Sequence, residues 1–160
     1  MRIFAKIVLS LLFCFYLFVL TQKILFKYLL PSMILSHFHF TEIYWQSHNF
    51  IPFKTIINYL FSTDINLNIR VTNLVGNIIG FVPFGFILPI LMKRFIKLKS
   101  ILIATFSLSL TYEILQLLFA FGSFDIDDLI LNTFGGLLGY IPIRLIINTK
   151  KKQLKSNVSV

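Results

Sequence analysis

Charge is scarce in this sequence, and acidic charge is scarcest. Only 13% of the residues are charged, with 6 acidic side chains against 15 basic ones. A soluble domain carries roughly 25% charged residues, so there is too little polar surface here to cover a water-soluble globule, and lipid must form part of the solvent. Cysteine is nearly absent. The single one, Cys14, lies inside an apolar run, which excludes an intrachain disulfide and a Cys-based metal site and leaves a small lipid- or core-facing residue. Phe13 before it is not the small residue that a lipoprotein signal requires. A cleavage site is also missing. Arg2, Lys6 and the apolar run to Leu20 are followed by Thr21, Gln22 and Lys23, without a small-x-small signal, so this segment reads as a retained first helix. Finally, the net charge of +9 forms no stripe. Its Lys and Arg residues sit between and beside apolar runs, a use that suits orientation and anionic headgroups and argues against nucleic acid.

What is abundant is apolar length. With 57% hydrophobic residues and a mean hydropathy of +0.84, the chain contains four runs long enough to cross a bilayer as helices, at about 1.5 Å of rise per residue. They span about Ile3 to Leu20, Val71 to Met92, Ile101 to Phe121 and Leu129 to Ile147. Nothing alternates as a barrel strand would. The expected fold is all-α: a polytopic membrane bundle of about four transmembrane helices. The stretch from Ile24 to Phe40 is short and broken by Lys27 and Pro31, and reads as an interfacial segment or an extension of the first helix, with a fifth span as the lesser alternative. Lys54 to Phe61 reads as a short interfacial helix.

Charge placement orients the bundle. Lys93 to Lys99 holds four basic residues, and Lys150, Lys151, Lys152 and Lys155 follow the last run, whereas Gly122 to Asp128 holds three aspartates and no base. The positive-inside rule places both termini on the cytoplasmic side and the acidic loop outside. The basic tail, residues 148–160, is expected to be disordered. The sequon at Asn157-Val158-Ser159 then falls on the cytoplasmic side and is discounted.

Four of the six acidic residues, Glu113, Asp125, Asp127 and Asp128, fall within sixteen positions. Glu113 is the most informative, because it lies about 12 Å inside the third run. An idle carboxylate there costs about 2.5–3.5 kcal/mol. Ser109, Glu113 and Gln116 share one helix face, as do Asp128, Asn132, Gly135 and Gly139, and as do Asn73, Asn77 and Gly80. Gly135 and Gly139 let another backbone approach, Gly76-x-x-x-Gly80 repeats that small-x-x-x-small spacing, and Pro83, Gly85 and Pro89 are expected to weaken and kink the second run. With the topology above, Asn73, Asn77, Glu113, Asp128 and Asn132 meet at similar depth. The bland account is that these groups only hydrogen-bond helices together; the sharper one is an outward-facing polar site with Glu113 as a candidate proton acceptor.

His37, His39 and His48, with Glu42, invite a metal reading. The His-x-His pair shares a side only in an extended chain, and no second cluster follows, so they read as surface or interface histidines and no metal is expected. Tyr44 and Trp45 fit a headgroup belt, while most of the 19 Phe fit lipid-facing bulk. No cofactor motif is present.

Four blocks carry a family resemblance: NFIPFKTI (Asn49 to Ile56), NLVGNIIGFVPFGFILP (Asn73 to Pro89), YEILQ (Tyr112 to Gln116) and FDIDDLILNTFGGLLGY (Phe124 to Tyr140). In order and spacing they resemble the VanZ-like family over roughly Asn49 to Ile147. The division that follows is a first helix with a variable outer segment (residues 1–48), a VanZ-like core with three transmembrane helices (49–147) and the basic tail. The resemblance implies a small helical protein of the bacterial cytoplasmic membrane, in a family named for a member that confers low-level teicoplanin resistance. The family's characteristic positions fall here on Pro52, Phe53, Asn73, Asn77, Pro83, Phe84, Gly85, Glu113, Gln116, Asp125, Asp128, Asn132, Gly135 and Gly139. Many members carry an arginine shortly before FD-x-x-D; here Gly122 and Ser123 stand in that stretch.

The favoured reading is a non-enzymatic envelope protein, with membrane lipids as surroundings and a lipoglycopeptide or lipid-linked wall precursor as partner. The alternatives are an intramembrane enzyme using Glu113 or Asp128 as acid or base, without a clear nucleophile, or an oligomeric small transporter, for which no inverted repeat is evident. If the site is functional, Glu113→Gln is expected to fail to complement a strain lacking the gene. Full complementation of every phenotype would remove Glu113 from the site.

Overall fold

The computed structural model of the protein describes residues 3–26, 48–62, 64–119 and 121–158, with side chains as far as Thr149. It is all-α. Helix α1 spans Ile3–Leu25, α2 Lys54–Phe61, α3 Leu67–Leu91, α4 Leu98–Phe119 and α5 Ile126–Val158, with a 3₁₀ turn at Lys93–Ile96 between α3 and α4. Four segments are long and apolar enough to cross a membrane: α1, α3, α4 and the Ile126–Thr149 part of α5. The short α2 lies where an interfacial helix is expected. The interfacial reading of Ile24 to Phe40, the pair His37 and His39, Glu42, Tyr44 and Trp45 fall wholly or largely outside the described residues.

Local chemistry sets the ends. α3 starts four residues earlier than its apolar run because the Asn66 side chain accepts from the Asn68 N–H at 2.8 Å, satisfying one of the donors a helix start leaves open. α5 likewise starts before Leu129, because the Asp125 carboxylate accepts from the Asp127 N–H at 2.9 Å. α3 continues through both Pro83 and Pro89 to Leu91, as membrane helices can when their neighbours compensate the lost hydrogen bonds. α5 passes through Pro142 and remains helical along the basic tail to Val158, where irregular chain is expected; Lys150 to Val158 contains no glycine or proline to break it.

Large apolar side chains face outward, as they do towards lipid: Phe4, Leu11, Phe15 and Phe18 on α1, Ile79 on α3, Ile103 on α4, Leu145 on α5. The interior holds an apolar core that includes Phe81, Phe84, Ile101 and Tyr140, and with it the polar residues Thr105, Ser109, Glu113, Asp127 and Asn132. α3 and α5 form the spine. A Cβ on Gly135 or Gly139 would collide with the α3 carbonyls of Ile78 or Val82, and one on Gly85 with the Gly136 carbonyl of α5. Backbone therefore lies directly on backbone. α4 closes on this pair through Thr105, which packs against Gly136. The sequence pair Gly76 and Gly80 plays a different part from the one its spacing implies. Gly76 has open space where a side chain would stand, and Gly80 meets the Leu20 side chain of α1.

α1 is fastened at three levels. Phe13 packs on Phe84 with ring centroids 5.8 Å apart, the Tyr16 hydroxyl donates to the Gly80 carbonyl at 2.7 Å, and Thr21 and Tyr112 share a hydroxyl hydrogen bond of 2.9 Å. These contacts place the start of α1 beside the end of α3 and the start of α4, so Lys6, Lys93, Arg94, Lys97 and Lys99 gather at one end of the bundle. Tyr140 ties that basic turn down by donating to the Ile96 carbonyl at 2.5 Å. The aspartates of α5 lie at the opposite end.

Gly85→Ala and Gly139→Ala are therefore expected to destabilise the bundle by about 1–3 kcal/mol through overpacking, whereas Gly76→Ala is expected to be neutral. Thermal transitions of the purified variants in one detergent test the ranking, and equal transitions for Gly76→Ala and Gly85→Ala would contradict it.

Candidate functional site

The acidic end is built around one carboxylate. Asp127, in the first turn of α5, is fully buried. It accepts the backbone N–H groups of Phe53 at 2.5 Å, Thr55 at 2.7 Å and Ile56 at 3.1 Å. These donors open α2, whose N-cap, Phe53, offers no capping side chain of its own. The capping acceptor therefore comes from more than seventy residues away in the chain. It also holds Phe53 at φ 67°, a left-handed conformation that a bulky residue rarely adopts. Asp127 was the residue of this cluster that the family positions passed over. Its signal in the sequence is indirect: a short helix starting after Pro52-Phe53 without Ser, Thr, Asp or Asn needs an acceptor from elsewhere.

A second layer clamps the chain before α2 to the start of α5. The Asn49 N–H donates to the Phe124 carbonyl at 2.8 Å and the Ile126 N–H to the Asn49 carbonyl at 3.0 Å, a single parallel bridge. The Asn49 side chain donates to Asp125 at 2.8 Å, and His48 accepts the Phe124 N–H through Nδ1 at 2.9 Å. His48 is thus a half-buried acceptor within the clamp. Among the described residues, no group of three or more His, Cys, Asp or Glu side chains could hold a metal ion.

The polar face of α4 turns inward along its length. Ser109 accepts from the Asn132 amide at 2.8 Å, and Glu113, 2% exposed, accepts the Asp125 N–H through Oε2 at 2.8 Å. Gln116 donates to the Ile24 carbonyl of α1 at 3.2 Å. Across the bundle, Asn77 donates to Asp128 at 2.5 Å, while Asn73 donates to the Tyr59 hydroxyl at 3.3 Å and to its own helix. Arg70 donates to the Ser62 carbonyl and so anchors the turn from α2 into α3.

These side chains surround a cavity of about 600 Å³ between α1, α3 and the start of α5. Asn73, Asn77, Gln116, Asp125, Asp128 and Asn132 all reach its wall, and Val19, Leu20, Ile79 and Phe81 supply apolar lining. Glu113 does not reach the wall; it stands behind Asp125. Pro83 borders the cavity, Phe84 belongs to the core below it, Gly85, Gly135 and Gly139 hold the helices together, and Pro52 and Phe53 lie on the exposed approach to α2. The contribution of α1, through Tyr16, Leu20 and Lys23, went unseen in the sequence. Its only trace there is the helical spacing of those three residues, i, i+4 and i+7.

A four-span helical membrane protein with an amphipathic cavity at its acidic end is the class that this arrangement defines. The VanZ/LLP1 family matches residues 13–147, and Protein VanZ of Enterococcus faecium is 36% identical over 128 residues, covering 80% of this chain and 68% of that protein. The chain belongs to the VanZ family. No solved structure matches it.

Removing the Asp127 carboxylate strips three charge-assisted hydrogen bonds from a buried helix start. Asp127→Ala is expected to cost about 3 kcal/mol or more, and Asp127→Asn, which keeps one acceptor oxygen but turns an NH2 towards a backbone donor, somewhat less. Thermal unfolding checks the order, and protease sensitivity of α2 should rise in parallel; an unchanged transition for Asp127→Ala would mean that α2 is held by other contacts.

Proposed function

We propose that this VanZ-family membrane protein is a non-enzymatic component of the bacterial cell envelope. It engages an amphiphile, a lipoglycopeptide or a lipid-linked wall precursor, at an outward-facing polar site, and thereby contributes to low-level glycopeptide resistance of the teicoplanin type. The observation that carries this reading is the cavity: its volume is that of a small-molecule site, and it joins amide and carboxylate groups to apolar walls between two membrane helices. The orientation follows from the basic end being cytoplasmic, which turns the cavity to the outer leaflet. Kinship with Protein VanZ of Enterococcus faecium supports the resistance role. The alternative, acid–base catalysis by Glu113 or Asp128, is less well supported. Glu113 is withdrawn from the cavity and engaged with backbone, and Asp128 is engaged with Asn77.

Isogenic strains with and without the gene, tested across envelope-directed antibiotics, are expected to differ for teicoplanin and related compounds. Asn77→Ala should abolish the difference at equal membrane abundance. No shift for any such compound would overturn the resistance role, and turnover of a labelled lipid precursor by the purified protein would favour the enzyme.

A further inference from the structure

The cavity wall carries Lys23 and the hydroxyls of Thr55, Tyr59, Thr72 and Ser123. The backbone and amide donors around it are largely engaged with the protein's own groups. The N–H groups that open α2 go to Asp127, the Asp127 N–H goes to Asp125, and the Asp125 N–H goes to Glu113. The side-chain amides behave the same way: Asn77 donates to Asp128, Gln116 to Ile24 and Asn132 to Ser109. Helix starts ordinarily attract anions, but here protein carboxylates occupy them.

What is left over is acceptors. Asn132 is 3% exposed, and its Oδ1 is buried without a partner; Gln116 Oε1 is in the same condition. Both residues line the cavity, together with the carboxylates of Asp125 and Asp128. A buried acceptor without a partner costs about 1–3 kcal/mol; both oxygens are buried below the wall, so a ligand donor gains there only where the amide turns towards it. Among the described residues, Lys23 is the only Lys or Arg on the wall, against two aspartates, and Glu113 adds a third carboxyl near both. A phosphate would therefore meet more carboxylates than cations.

Geometry limits the rest of the ligand. α1 and α3 meet at Tyr16 and Gly80, and the cavity lies on the acidic side of that contact, with Val19 and Ile79, both outward-facing, on its two flanks. Gly76, with open space above its Cα, leaves room on the α3 side. A cavity of this size holds one drug-sized group, so a hydrocarbon chain attached to that group would leave between α1 and α3 into the bilayer.

We infer that the cavity takes the amine-bearing, hydrogen-bond-donating headgroup of an amphiphile whose chain exits between α1 and α3, in preference to a phosphate headgroup. The inference rests on the amphiphile-binding reading above and narrows it to a headgroup class. The test uses the full chain in phosphatidylcholine nanodiscs and three photoreactive diazirine-bearing dodecyl probes, ending in ammonium, glucoside or phosphate. The ammonium probe is expected to label α1 and α3 near Lys23 and Asn73 saturably, with an apparent affinity about ten-fold or more above that of the phosphate probe. Gln116→Met should weaken ammonium labelling about five-fold, and Asp128→Asn at least as much, with thermal transitions confirming that each variant is folded. The comparison of probes on the unmodified protein stands even if a variant does not fold. Parity between ammonium and glucoside, or preference for phosphate, would overturn the headgroup assignment while leaving an amphiphile site in place. Absence of saturable labelling by all three would overturn the amphiphile reading itself.

Discussion

The close backbone contact between α3 and α5 is the constraint on which the remaining structure depends. Lipid tails provide no hydrophobic drive for one helix to leave them and join another, so association rests on close packing and interhelical hydrogen bonds. Gly135 and Gly139 against the carbonyls of Ile78 and Val82, with Gly85 against Gly136, fix the two helices in one register. That register sets Asn77 opposite Asp128. It also brings the start of α5 to the level where Asp127 can reach back to α2 and Asp125 can be held by Glu113 of α4. A shift of one residue along either helix would rotate the glycines out of contact and separate the polar pairs together.

The acidic residues therefore divide into two kinds of work. Asp127 and Glu113 are structural acceptors: each is almost wholly buried and is engaged with backbone N–H groups of a neighbouring segment. In a membrane such groups cannot be left to water, and a carboxylate can accept several at once. Asp125 and Asp128 also take part in this network but reach the cavity wall. The same fold thus spends its backbone and amide donors internally and leaves two carboxylates on the cavity wall.

α1 stands somewhat apart. It buries only Phe13, Leu20 and Leu25, and it is attached by an aromatic contact, two hydroxyl hydrogen bonds and the Gln116 amide on its Ile24 carbonyl rather than by backbone lying on backbone. This looser attachment is what makes room for the cavity between α1 and α3, because bulky side chains such as Tyr16 and Leu20 keep the helix axes apart where glycines would have let them close.

Much of this was legible in the sequence, for a plain reason: lipid demands long apolar runs, and such runs need no partner to be recognised. The four spans, the short helix at Lys54–Phe61, the segregation of charge and the inward polar face of Ser109, Glu113 and Gln116 all follow from spacing along one helix. Only the tertiary structure decided which small residues make contact. Gly135 and Gly139 meet backbone as their place on the fourth helix implies, but they meet Ile78, Val82 and Gly85's stretch of α3 and not the Gly76–Gly80 pair, because rotation about a helix axis is set by its partner. It also decided the role of Asp127, whose acceptors' partners lie far away in the chain, and the contribution of α1 to the cavity. Periodicity shows which face of a helix is polar; it cannot show what that face meets.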